Sequence, residues 1–175
     1  MANRFLLPLA VLVLICGCLA APVRAQAQRG RSVYDMRAER LGPLRLGMAA
    51  RDAARNLPCR PVVGRERLEG ATGEYVQEWR LPDCGLTIKM SGPRRSGPKT
   101  VAAVTATAPC RLVTSRGVGV GADEAAVAAA YGRFKDEDGL SAPGRTFLVG
   151  SIYGGLVFSL AEGRVTRLFL GAGAE

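Results

Sequence analysis

Strict alternation of apolar and polar positions dominates the chain after residue 40. In "EYVQEWRL" Tyr75, Trp79 and Leu81 fall on one side, and Val76, Glu78 and Arg80 on the other. A "PDCG" turn leads to "LTIKM", where Leu86, Ile88 and Met90 oppose Thr87 and Lys89. The loop "SGPRRSGPK" then separates this run from "TVAAVTATA". Farther on, "RTFLVGSIY", "LVFSL" and "RVTRLFL" repeat the pattern around a Gly154-Gly155 turn and an "AEG" turn. Period-two runs separated by turn residues predict antiparallel hairpins. Two stretches change period. Val127, Tyr131 and Phe134 lie at i, i+4 and i+7, one face of a helix. Ala53 and Leu57 do the same more weakly, and Pro58 stops that helix.

The two helical stretches belong to a repeated phrase. "LRLGMAARDAARNL" (Leu44–Leu57) overlays "VGVGADEAAVAAAYG" (Val118–Gly132) at an offset of 74, which sets Gly47 on Gly121, Ala53 on Val127 and Leu57 on Tyr131. Each copy opens with a short alternating strand, Leu44 and Leu46 in one, Val118 and Val120 in the other. A glycine and a helix follow. Each copy also keeps half of a capping box. The first has Asp52 at the third helical position behind Ala49; the second has Asp123 at the cap ahead of Ala126. Helices this short persist only when packed on a sheet. The expected architecture is therefore α+β: two tandem repeats, each a short helix packed on an antiparallel β-sheet. Repeat 1 spans 41–112 and repeat 2 spans 113–175, joined through Val113–Gly117.

The start of the chain reads as an export signal. Arg4 precedes an apolar run from Phe5 to Ala20, and Val23-Arg24-Ala25 offers a cleavage site, so 1–25 is a signal peptide and 26–40 a flexible segment. Ile15-Cys16-Gly17-Cys18 fits a lipobox, making Cys18 an alternative site of lipidation. Either route gives a periplasmic or secreted protein, out of reach of nucleic acid and of nucleotide cofactors. The charge of +9 is uneven: residues 26–111 carry +8 and residues 112–175 carry −1. Outside the cytoplasm such a basic half suits an anionic envelope surface or an acidic protein. Only three of the 24 basic residues are lysines, which also fits a general coding bias. An oxidising compartment favours a disulfide among Cys59, Cys84 and Cys110. Cys59–Cys84, from helix to strand, is the expected pair; Cys84–Cys110 is the alternative.

Familiar catalytic arrangements fail on inspection. The chain has no histidine, which removes Ser-His-Asp and Cys-His sites and leaves three thiols as a poor zinc set. Gly117–Ala122 imitates a dinucleotide loop, but no second apolar strand precedes the acid at Asp136. Ser96-Gly97-Pro98-Lys99 matches S-x-x-K, yet Gly97-Pro98 forbids the helix turn that motif needs. Asp136-Glu137-Asp138-Gly139 lacks the remaining acceptors of a calcium loop. No enzyme activity, cofactor or metal is expected. The candidate surface is the sheet face away from the helices, with Glu78, Arg80, Thr87, Lys89, Thr105 and Thr107, beside a hairpin tip with Arg94, Arg95 and Lys99. Arg80, Lys89, Arg94, Arg95 and Lys99 are the candidate binding residues, able to meet carboxylates or phosphates. The large aromatics, Trp79 and Phe158, alternate to the other side.

"GMAARDAARNL" (Gly47–Leu57), "GADEAAVAAAYG" (Gly121–Gly132) and "LVFSLAEGRVTRLFL" (Leu156–Leu170) together resemble the SmpA/OmlA (BamE) outer-membrane assembly lipoproteins. In tandem they resemble the β-lactamase inhibitor protein (BLIP) architecture. Ala49 and Ala122 stand where that pattern has other residues. The resemblance spans most of 41–171 and rests on fold-forming positions. It implies an α+β fold and a domain that acts by binding other proteins. The expected function is thus an envelope protein-binding module, an inhibitor or assembly accessory. The alternative is a binder of anionic components such as lipid headgroups or lipopolysaccharide.

Overall fold

The computed structural model describes residues 34–136, 141–151 and 153–172. The stretch 1–25 read as a signal peptide, Cys18, and Glu137 to Gly139 of the acidic turn lie outside them. Helix α1 is Ala50–Asn56 and α2 is Glu124–Tyr131, the latter followed by a 3-10 turn at Gly132–Phe134. The strands are β1 (Val62–Val63), β2 (Arg67–Glu69), β3 (Glu74–Leu81), β4 (Leu86–Gly92), β5 (Thr100–Thr107), β6 (Thr146–Ser151), β7 (Gly154–Ala161) and β8 (Arg164–Gly171). All pair antiparallel in one eight-stranded sheet of order β1-β3-β4-β5-β8-β7-β6, with β2 also on β3. The fold is α+β. The six long strands match the alternating runs of the sequence.

Register explains the core. Trp79, Ile88, Val104, Leu170, Leu156 and Val149 form one cross-strand row; Leu81, Leu86, Ala106, Leu168, Phe158 and Phe147 form the next. Paired residues of an antiparallel ladder share a face, so these rows make one apolar surface. Ala53 of α1, with Val127 and Tyr131 of α2, packs in the same buried cluster. Burying Val127 and Tyr131 contributes roughly 1.5–3 kcal/mol apiece, which holds a helix too short to stand alone. Phe134, on the turn after α2, packs against the cluster as the spacing predicts.

The entries to the helices differ from expectation in two ways. Leu44 and Val118 do not begin sheet strands. Leu41 and Leu44 exchange main-chain hydrogen bonds of 2.8 and 3.0 Å across a tight turn, and 113–119 closes a single bridge. Both leucines are fully buried, so packing rather than pairing fixes them. Nor do side chains cap the helices. The Ala50 N–H donates to the Lys99 carbonyl at 2.9 Å, and the Glu124 N–H to that of Gly163 at 2.8 Å. The cause is the preceding turn. Gly47 and Gly121, at φ +76° and +88°, fold each helix start onto the head of a strand, whose carbonyl then serves as the cap. The Asp123 carboxylate, left free of capping, pairs with Arg164 at 3.2 Å.

Two further features fasten the edges of the fold. Cys59 and Cys84 are disulfide-bonded, as expected, and Cys110 is a buried free thiol. The disulfide ties the exit of α1 to the end of β3, so residues 62–69 run back along β3 as β1 and β2. The second feature is a buried carboxylate. Glu39, 1% exposed, accepts the Arg40 and Ser115 N–H groups at 2.8 Å each on Oε1. Its Oε2 accepts the hydroxyls of Tyr131, at 2.9 Å, and of Tyr34. Arg116 lies over the rings of Tyr34, Tyr131 and Phe134, 5.0–6.0 Å from their centroids. This network fastens the segment before Leu41 to the 114–116 turn and to α2.

Candidate docking surface on the open sheet face

Among the described residues no helix packs on the second sheet face. Register places Glu78, Lys89 and Ala103 in one row and Arg80, Thr87, Thr105, Phe169 and Val157 in the next; Thr107, Arg167 and Ser159 follow. A concavity of about 370 Å³ opens here, lined by Glu78, Thr87, Lys89, Ala103, Thr105, Val157, Arg167, Phe169 and Ala172. A neighbouring one of about 480 Å³, sharing Thr87, continues toward Val62. Every face residue read from the alternation of β3, β4 and β5 is on this side.

The five candidate binding residues separate. Arg80 and Lys89 lie on the face. Arg80 Nε pairs with Glu78 at 3.3 Å, and Lys89 Nζ with Glu69 at 2.8 Å. Lys89, with smaller help from Thr72 and Arg67, holds the Glu69 carboxyl below the usual range against the opposing effect of burial. Arg94 and Arg95 are exposed on the β4–β5 loop, beyond the strand ends. Lys99 turns inward: its side chain is 7% exposed and pairs with Glu66. Glu66 also accepts the Ser96 N–H at 2.9 and 3.1 Å. The Lys99 ammonium first, then the Ser96 amide, keeps the Glu66 carboxyl low. Lys99 therefore pins its loop to the β1–β2 turn. Ser96–Lys99 is a loop, as Gly97-Pro98 requires.

No family model, curated protein or solved structure matches the chain. Among the described residues no group of three or more His, Cys, Asp or Glu is placed to hold a metal ion, and no helix is long and apolar enough to cross a membrane.

The central residues of the concavity come from β8 and were missing from the sequence-based set. Phe169 is half-buried between Thr105 and Val157, its partners across both ladders. Arg167 lies with its guanidinium carbon 5.6 Å from the Phe169 ring centroid. The signal was present: Phe169 alternates with the core residues Leu168 and Leu170, so it must face away from them. Chemically, the face offers a fork of N–H donors, an aromatic plane, small apolar flooring and threonine hydroxyls. Such groups can bond carboxylates and main-chain amides and cover apolar side chains.

Proposed function

We propose that the chain is an exported, non-catalytic binding protein of the bacterial envelope, built as two repeats of one unit, which captures a protein partner on the open face of its sheet. The observation that carries the reading is the concave face itself, with the half-buried Phe169 at its centre. Aromatic and arginine anchors in a depression are the usual core of a protein interface.

The repeat reading draws support from matched hydrogen bonds. Gly47 N–H donates to Val101 O at 2.8 Å, and Val101 N–H returns to Met48 O at 2.9 Å. Gly121 donates to Val165 O at 2.7 Å, and Val165 returns to Ala122 O at 2.9 Å. Two three-stranded meanders, β3-β4-β5 and β6-β7-β8, then meet through β5 and β8. Joining them gives one continuous face wider than either half supplies. The resemblance to the SmpA/OmlA and BLIP-like group points toward protein binding as well. Export is supported by the apolar run at Phe5–Ala20, the small-residue site before Gln26 and the Cys59–Cys84 bridge.

The alternative, a binder of polyanions, needs several uncompensated cations in a row. On this face Arg80 and Lys89 already have acidic partners, which favours a protein. The test is affinity capture from a detergent-solubilised envelope extract at low and high salt. One protein retained near equal stoichiometry in both supports the proposal. Broad retention that washes off with salt supports the polyanion reading instead.

A further inference from the structure

Resting on the reading of this face as a protein-docking surface, we infer that it recognises an acidic side chain set among apolar ones. Arg167 takes the carboxylate, while Phe169, Val157 and Ala103 receive the apolar flanks.

Charge accounting on the face singles out Arg167. Four cations lie there, and three are engaged: Arg80 with Glu78 at 3.3 Å, Lys89 with Glu69 at 2.8 Å and Arg67, register partner of Val76, with Glu69 at 3.9 Å. Arg167 pairs with no carboxylate among the described residues. Its cross-strand neighbours are Thr107 and Ser159, hydroxylic on both sides. Its guanidinium instead rests near the Phe169 ring, which leaves the donor edge of the fork for an incoming acceptor. A planar fork held over a ring can meet a carboxylate bidentately. Next to it the floor is apolar, with Ala103, Val157 and Phe169 lining the concavity of about 370 Å³.

This arrangement discriminates between classes of occupant. A phosphate-rich polymer gains little from one uncompensated cation over an apolar floor. In a second copy presenting the same face, the carboxylate lining the concavity is Glu78, already held by Arg80 at 3.3 Å. A protein segment with one carboxylate between apolar side chains satisfies the fork and covers the floor together. Thr87 and Thr105 line the same concavity and can bond the segment's main chain.

Two capped pentapeptides test this, acetyl-Ala-Phe-Asp-Leu-Ala-amide and its Asn-for-Asp counterpart, titrated into the full chain by heteronuclear NMR. The expected result is shifts centred on Thr105, Val157, Arg167 and Phe169 with the Asp peptide. Binding should be about tenfold or more weaker for the Asn peptide, and equally weakened for Asp in Arg167→Met. Equal binding of both peptides, shifts centred elsewhere, or no shifts at all would each overturn the inference. Envelope capture separates this failure from that of the wider reading. A partner held equally by the parent chain and by Arg167→Met with Phe169→Ser sinks the inference but leaves protein binding standing. A parent chain that holds no partner removes both.

Discussion

Truncating Glu39 should loosen the whole N-terminal side of the domain. Four donors converge on this one carboxylate, which is 1% exposed. In Glu39→Ala, water can reach the N–H groups of Arg40 and Ser115, because both residues are exposed. It cannot readily reach the Tyr131 hydroxyl, whose residue has no exposure. That hydroxyl keeps the Thr114 and Ser115 side chains as neighbours; losing its carboxylate acceptor costs about 1–2 kcal/mol, and the lost charge-assisted bonds to the amides add about 1–2 kcal/mol. The expected loss is about 3 kcal/mol. Glu39→Gln keeps the shape: its oxygen still accepts both amides, and the phenols can rotate to accept from the new NH₂ group. That variant should lose about 1 kcal/mol. Urea unfolding followed by the fluorescence of Trp79, the only tryptophan, measures both, with the slope unchanged between variants. If both lie within about 0.5 kcal/mol of the parent, the range of ordinary surface changes, the carboxylate is not the fastening inferred here.

Alkali should weaken the same region. Burial, reinforced by the nearby Glu39 charge, pushes the Tyr131 phenol up to about 12. The folded state therefore holds this proton more tightly than the unfolded chain, and stability falls as pH rises from the ordinary tyrosine value toward 12. The loss approaches about 2–3 kcal/mol, and Tyr131→Phe should flatten the pH profile of urea unfolding between pH 9.5 and about 12. Removing the bridge with paired Cys59→Ser and Cys84→Ser should cost about 3–4 kcal/mol in the chain-entropy picture, for a sequence separation of 25. Burial also pushes the Cys110 thiol up, so peptide mapping should find it slow to alkylate in the native protein and fast in denaturant; fast native labelling contradicts its burial. Glu66→Gln should free the Arg94–Lys99 loop and speed tryptic cleavage after Arg94 and Arg95. In the parent, the low carboxyl of Glu66 keeps the clamp charged until the pH falls below the ordinary glutamate range, so acid should release the loop late.

Strand alternation made the six long strands, the apolar face and the half of the open face on β3, β4 and β5 legible. It also contained Phe169, which follows directly from the buried Leu168 and Leu170. Helical spacing placed Val127, Tyr131 and Phe134 on one side. Other parts depend on contacts distant in the chain. The β1 and β2 segments are too short, and too interrupted by Pro61, Gly64 and Gly70, to show a period; the disulfide and β3 give them their place. Glu39 sits in a stretch with no periodicity and gains its role from Ser115, 76 positions away. Lys99 reads as a solvated loop residue until Glu66 is brought beside it. The capping halves in the sequence were misleading because the glycine turns carry each helix start to a strand carbonyl that does the same work.

Photo-crosslinking from the open face in native envelopes tests directly whether a partner docks there. A photoreactive phenylalanine analogue replaces Phe169 in one experiment and Ala125, exposed on α2, in another. Docking on the open face gives one discrete protein adduct from position 169 and none from 125. An adduct arising only from 125, or the same diffuse ladder from both, contradicts the assignment of the open face as the place where a partner docks.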